Sequence, residues 1–392
     1  MQKKVELYIF NPEHDMALGN YSPYYKCPQE IEYMKKDLSF LPYWYSPEDS
    51  LVRIYNKNHI SVFSIQASSF NKILAERFVD SNVSAEVIPW GWDPSIVHFF
   101  KSGNQSSDIL PEKEVLNKIR YLSSRERTVE VLESLSRLDV LCGEAFCCTE
   151  IFQVMSILEK YGHIILKSPW SGSGRGLVRV STETWTDNIK GWVSRIIRTQ
   201  GSIMAEPLYN KVLDFAMEFC SYKESDVSFV GYSLFDTDTH GNYKHNILMN
   251  DTRIEEHITK YIPIDVLREV KDNLLRKLKD FIECNYTGYF GIDMMICLEN
   301  GNYLLHPCVE INLRMNMGIV SHIIFNRFVN YNSSGIFVVE HYSSEGEALA
   351  AHENLTSQYP LVKDESGKIT GGYLSLTPVV PSTHYQAYIL VK

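Results

Sequence analysis

The chain has 392 residues, 44% of them hydrophobic and 22% charged, with a formal net charge of −10. That length is too great for one compact core and predicts two or three domains. The acidic balance, with no dense basic cluster, argues against a nucleic-acid partner. No stretch reaches the roughly 18 apolar residues of a membrane span. The 8 cysteines include adjacent Cys147 and Cys148 but no Cys-x-x-Cys pair, so neither a zinc site nor a disulfide framework is expected. Met1 to Leu7 starts charged and lacks the apolar core of a signal segment, so the expected location is the cytoplasm, with reduced thiols.

The first hundred residues read as a separate α/β unit. Val5 to Phe10, His59 to Ile65 and Ala85 to Ile88 are expected as strands, with a helix from about Ser69 to Asp80 between the last two. This is βαβ-like patterning and favours a parallel sheet. Directly after the first strand, Asn11-Pro12-Glu13-His14-Asp15 forms a polar cluster where α/β sheets gather ligands, readable as a substrate contact or as an ordinary capped turn. Trp90-Gly91-Trp92-Asp93-Pro94 reads more simply as aromatic packing at a domain junction. The polar run Lys101 to Ser107 reads as a linker.

From Glu112 the pattern is helical. Ile151, Val154, Met155 and Leu158 follow the 3.6-residue period, and Gly162 is placed to end their helix. An apolar strand then ends in Lys167, and the small-residue loop Ser168-Pro169-Trp170-Ser171-Gly172-Ser173-Gly174-Arg175-Gly176 leads at once into a second strand at Leu177. Glycines at alternate positions let backbone amides approach anionic oxygens closely. No Gly-Lys-Ser/Thr follows and no helix comes next, so the loop is neither a Walker loop nor a dinucleotide fingerprint; taken alone it is most simply a turn, and taken with Lys167 it resembles a phosphate cover.

A helix carrying Ile189, Trp192, Val193 and Ile196 should end near Gly201, before the strand Met204-Ala205-Glu206-Pro207-Leu208. A strand over Asn242 to Met249 holds Lys244, and a long helix is expected from about Ile264 to Glu283. Gly288 to Leu298 is strand-like, and Glu299-Asn300-Gly301-Asn302 signals a tight hairpin turn. After the interruption His306-Pro307-Cys308, the residues Glu310, Asn312 and Arg314 alternate onto one face of a strand. Asp293, Glu310 and Asn312 are oxygen donors suited to magnesium, which keeps part of its shell for nucleotide phosphates. A half-exposed edge strand would show the same triplet. Beyond Asn330 come further strands, at Gly335 to Glu340, Gly372 to Leu376 and Tyr385 to Val391, expected to decorate the core.

Together, from about Glu112 to about Asn330, these segments resemble the ATP-grasp superfamily of carboxylate–amine ligases. The resemblance implies an α+β (α/β) fold, two α+β subdomains clasping ATP behind an N-terminal α/β domain. The expected bounds are 1–108 for the first domain, 109–205 for the small subdomain with its glycine-rich lid, 206–340 for the large subdomain with the metal site, and 341–392 for a C-terminal extension. It further implies that Lys167 contacts the nucleotide, that Ser171, Gly172, Ser173 and Gly174 belong to the lid, that Glu206 and Leu208 belong to the adenine hinge, and that Asp214 meets the ribose. The resemblance also implies that Lys244, which as a lone strand lysine reads equally as solvent-facing, is a second phosphate contact, that Asp293, Glu310 and Asn312 hold one or two Mg2+ (or Mn2+) ions, and that Arg314, with Lys167, is catalytic. ATP and magnesium are thus the expected cofactors.

Two departures stand out. The interval from Asp293 to Glu310 is longer than the family pattern, which would displace Asp293 from the metal. The family's first lysine has no clear counterpart, and Arg125 and Arg127 are unassigned substitutes. The resemblance implies ligation through an acyl-phosphate, with small-molecule or peptide carboxylates and amines as partners and a homodimer as the default assembly. Two alternatives remain: an ATP-binding regulatory protein of the same fold without ligase chemistry, and a kinase that stops at the phosphorylated product.

Overall fold

A computed structural model describes residues 4–81, 83–103, 110–135, 139–172, 176–222, 226–238, 243–282 and 285–392. The N-terminal unit is built on four parallel strands in the order Phe78–Val79, Leu51–Arg53, Glu6–Ile9, Glu86–Pro89. Parallel neighbours require crossovers on the sheet faces, and here helices Gln29–Asp37 and His59–Gln66 lie in those connections.

Two expectations fail in this unit. The segment His59 to Ile65 is helical: Ile60, Phe63 and Ala67 recur at helical spacing and join an aromatic core with Phe40, Trp44 and Phe78, whereas Ile65 faces solvent. The helix expected over Ser69 to Asp80 shrinks to one 3-10 turn, Ala75–Arg77, followed by a strand. Burial of Arg77 accounts for this, because its guanidinium donates to Ser46 Oγ, Pro47 O and Ser50 O and so fixes the chain from outside. The parallel sheet itself is as expected. Of the anticipated linker, Lys101 and Ser102 end the helix Pro94–Ser102, and 104–107 lie outside the described residues.

A second sheet is antiparallel, in the order Phe146–Cys148, Ile203–Pro207, His163–Lys167, Leu177–Ser181. Helices Ile151–Tyr161 and Asp187–Gln200 close a core over it with Val154, Leu158 and Val193. The first of these helices opens with a reciprocal Glu150/Gln153 capping box and stops at Gly162, whose φ of 72° an L side chain would adopt only with strain.

The third sheet has nine strands. Asn302–Asn312 forms one edge, and Gly288–Glu299, Lys211–Ser221, Val227–Thr237, Tyr243–Leu248, Gly335–His341, Tyr385–Val391, Ile369–Ser375 and Val362–Lys363 follow in that order. The C-terminal residues, expected to decorate the core, continue this sheet. Leu267, Val270, Leu274, Leu278 and Ile282 line one side of the helix Ile264–Ile282 and join Phe215, Met217, Phe219, Ile292 and Met294 in the core. Burial of each such side chain is worth roughly 2 kcal/mol. Among the described residues no helix is long and apolar enough to cross a membrane.

Candidate functional site

Strand alternation sends the odd residues Phe215, Met217 and Phe219 into the core, so the even residues Asp214, Ala216 and Glu218 share the opposite face. Register extends that face sideways, because residues directly opposite on neighbouring strands point the same way. Ala216 pairs with Asp293 and Glu218 with Gly291, while Asp293 pairs with Glu310 and Gly291 with Asn312. The hairpin turns at Asn300 (φ 50°) and Gly301 (φ 82°), the backbone that an Asn-Gly turn supplies.

The long interval before Glu310 does not displace Asp293. Met295 pairs with His306 and Asp293 with Glu310, so two residues of one strand span four of the other. A bulge at Pro307 to Val309 absorbs the surplus and restores Asp293 opposite Glu310.

Arg125 is the residue that sequence reasoning left unassigned. It is 5% exposed, and its guanidinium donates to Glu310 Oε1 at 2.7 Å, Ser168 O at 2.7 Å, Ser171 Oγ at 2.7 Å and Ser171 O at 3.0 Å. Ser171 is therefore held from both its hydroxyl and its carbonyl. Arg127 points elsewhere, to Glu126, Glu130 and the Tyr121 ring.

Arg314 donates from Nε to both oxygens of Asp15, at 3.0 and 2.9 Å, and from one terminal nitrogen to Asn312 Oδ1 at 3.0 Å. Asp15 belongs to the polar turn after the first strand, so the N-terminal unit reaches the Glu310 strand directly. Despite its burial, the Arg314 guanidinium holds the Asp15 carboxyl below its ordinary value. Gly172 sits against the same carboxylate: a Cβ there would lie 2.9 Å from Asp15 Oδ2.

Lys167 and Glu206 form a buried ion pair at 2.6 Å, so the Glu206 side chain is engaged by the lysine of the neighbouring strand. The hairpin after Lys167 is closed by Ser168 N donating to Gly176 O at 2.9 Å. Gly176 has φ 79°, and a Cβ there would meet Ser168 Oγ at 2.8 Å. Ser173 and Gly174 lie outside the described residues. Leu208 is 41% exposed at the end of the hinge strand, its backbone N bonded to His163 O.

Asp214 accepts from Thr237 Oγ1 at 2.9 Å and is paired with Lys211. Lys244 is exposed, on a strand separated from Gly288–Glu299 by two others. Burial and the adjacent Lys167 depress the His306 imidazole to about 3; the ring is wholly buried with neither nitrogen hydrogen-bonded.

Glu218 is a further carboxylate unrecognised in the sequence. It is 1% exposed and accepts from Asn316 Nδ2 and Ser233 Oγ, each at 2.8 Å, and burial pushes it up to about 7 against these bonds. Burial, Glu310 and Glu218 raise the Asp293 carboxyl well above its ordinary range, against a hydrogen bond from Asn312. Among the described residues no three His, Cys, Asp or Glu side chains are placed to hold a metal. The available donor set is two carboxylates and one carboxamide, oxygen donors that suit a hard cation also taking oxygens from water and phosphate.

No family model and no curated protein sequence matches the chain. Solved structures do. N5-carboxyaminoimidazole synthetase from Staphylococcus aureus is similar over 100% of this chain and 94% of that one, at 11% identity and a TM-score of 0.51. N5-carboxyaminoimidazole synthase from Aspergillus clavatus, in complex with ADP and its aminoimidazole ribonucleotide, covers the same shares at 12% identity and 0.50. The biotin carboxylase domain dimer of Hydrogenobacter thermophilus 2-oxoglutarate carboxylase, in complex with MgADP, ADP and bicarbonate, matches all of this chain and 87% of its own at 12% identity and 0.50. Identities this low establish architecture, and the architecture is the ATP-grasp fold.

Proposed function

We propose that this ATP-grasp chain is an ATP-dependent carboxylate–amine ligase, or a ligase using a thiol in place of the amine, that forms an acyl-phosphate and releases ADP and phosphate. The carrying observation is convergence. The loop after Lys167, the hairpin bearing Asp293, Glu310 and Asn312, and the N-terminal turn bearing Asp15 are linked through Arg125 and Arg314.

In this reading Asp293, Glu310 and Asn312 hold magnesium, which when bound neutralises charge on the phosphoryl oxygens. Lys167 and the hinge from Glu206 to Leu208 meet the nucleotide, Ser171 to Gly174 cover its phosphates, and Asp214 is the ribose contact. Arg125 and Arg314 present positive charge to the transferring phosphoryl group and to the anionic intermediate. Closure of the loop over them keeps water from an intermediate that it would hydrolyse. Lys244 is a second phosphate contact in the same reading. The complexes of those neighbours with aminoimidazole ribonucleotide and with bicarbonate support small carboxylate and amine substrates.

The test is a screen of amino-acid and peptide pools for ATP-dependent phosphate release, with the product identified by mass. Glu310→Gln is expected to lose turnover and keep its fold by circular dichroism; undiminished ADP release from that variant counts against the assignment. Phosphate retained on the product instead of freed indicates a kinase.

One observation favours a second reading, an ATP-binding regulatory protein. Arg125, Lys167 and Arg314 are each already paired with a carboxylate, and an interior so neutralised needs no chemistry to persist. ATP affinity without ADP release in any pool supports it.

A further inference from the structure

The turn Asn11 to Asp15 holds more buried polar chemistry than a capped turn requires. His14 is 1% exposed and neither ring nitrogen has a hydrogen-bond partner. Asp93 stands behind it, Oδ2 lying 3.8 Å from Nδ1, while the other Asp93 oxygen caps the helix Pro94–Ser102. Asn11 fixes this geometry by donating to Gly91 O at 2.8 Å and to Asp93 Oδ2 at 3.2 Å. Gly91 leaves room for the imidazole, which a Cβ would strike.

The neighbours of His14 point to a ligand of definite charge. Glu13 pairs with Lys35 through one oxygen, and its other oxygen is buried without a partner. Asp15 pairs with Arg314. With the His14 imidazole as the free base, the carboxylates Glu13, Asp15 and Asp93 face the cations Lys35 and Arg314, one negative charge in excess and complementary to an ammonium group.

Resting on the ligase reading above, we propose that this turn is the site of the acceptor amine and that His14 is the base that activates it. The acceptor is a cationic primary amine. Its ammonium gives one proton to the free imidazole nitrogen of His14, with Asp93 orienting the ring. The neutral nitrogen forms the N–C bond at the acyl carbon, the C–O bond to phosphate breaks with its electron pair leaving on phosphate, and the second N–H proton goes to that phosphate. An amide, inorganic phosphate and a protonated His14 result. Contact of Asp15 with both Arg314 and Gly172 places this turn against the residues assigned to the transferring group.

The experiment compares two acceptors in the unaltered protein and in His14→Gln, with pooled amino acids as carboxylates. Hydroxylamine, neutral at pH 7, traps the acyl-phosphate as a hydroxamate without needing a base, whereas an amino-acid ammonium needs one. The amide-to-hydroxamate ratio is expected to fall about 100-fold in the variant; an equal fall in both products overturns the role of His14. To keep the test independent of the variant's folding, the unaltered protein labelled with 15N-histidine is also titrated with methylammonium chloride. Movement of the His14 ring signals is expected, and their constancy overturns the site. Hydroxamate missing from the unaltered protein defeats the ligase reading instead, and the titration then decides the amine site separately.

Discussion

Arg125 and Glu310, 185 residues apart in sequence, meet at 2.7 Å, and the same guanidinium holds the backbone and hydroxyl of Ser171. One side chain thus fixes both the glycine loop and the acidic hairpin. Arg125→Ala strips a nearly buried cation from four acceptors and leaves Glu310 unneutralised, an expected loss of about 3 kcal/mol. Arg125→Lys keeps the charge but lacks the planar fork, so it should recover part of the stability and little of the loop order. Urea unfolding of the three proteins measures this; equal stability of the Ala and Lys variants would show that the charge is immaterial.

Lys167 and Glu206 allow a sharper comparison because both side chains are almost wholly buried, at 6% and 4% exposure. Removing the lysine alone, as in Lys167→Met, abandons a charge in the interior and should cost about 3–5 kcal/mol. Replacing both, as Lys167→Met with Glu206→Leu, removes the burial penalty along with the attraction and should restore most of that loss. ATP affinity, followed by nucleotide titration, is expected to fall in both. A double variant less stable than Lys167→Met would show that the attraction within the pair outweighs its burial penalty.

Legibility followed the range of the interactions. The hairpin Gly288 to Asn312 could be read because its turn and its alternation are local, and so could the helices Ile151–Tyr161, Asp187–Gln200 and Ile264–Ile282. His59–Gln66 could not, since its β-branched, alternating residues fit a strand equally well and only the aromatic core against Phe63 decides. In the site, the alternation of Glu310, Asn312 and Arg314 was visible, but the partners of Glu310 and Arg314 were not, because Arg125 and Asp15 lie 185 and 299 residues away. Glu218 had left a signal: Asp214 and Glu218 are four residues apart, the two acidic residues of the strand Lys211–Ser221, and so share its face.

Glu218 makes stability depend on pH in an unusual direction. Burial raises its carboxyl from an ordinary 4.5 to about 7, so between those values the unfolded chain releases a proton that the folded protein keeps. The stabilising contribution is complete below pH 4.5 and is lost as pH rises through about 7. Glu218→Gln keeps an acceptor for Asn316 or Ser233 and does not titrate. Relative to the unaltered protein, its stability should therefore gain about 3 kcal/mol between pH 4.5 and pH 7 and then level off. Urea midpoints across that range measure the gain; a difference that does not vary with pH rules it out.

His306 should act with the opposite sign. Its ring is buried with both nitrogens unpartnered, in contact range of Gly143, where φ is 110° and a Cβ would lie 2.9 Å from the imidazole. Burial and Lys167 hold the ring at about 3, against an ordinary 6.5, so the unfolded chain takes up a proton in this interval that the folded protein refuses. This contribution is complete above pH 6.5 and is lost as pH falls toward 3. His306→Leu, similar in volume and without polar atoms, should be more stable by about 1–3 kcal/mol at pH 7. By pH 5 its advantage should widen by about 2 kcal/mol, the cost of protonating the histidine only in the unfolded chain. A narrowing advantage in acid would mean that the imidazole is charged in the fold, which requires an anionic partner for it beside Lys167.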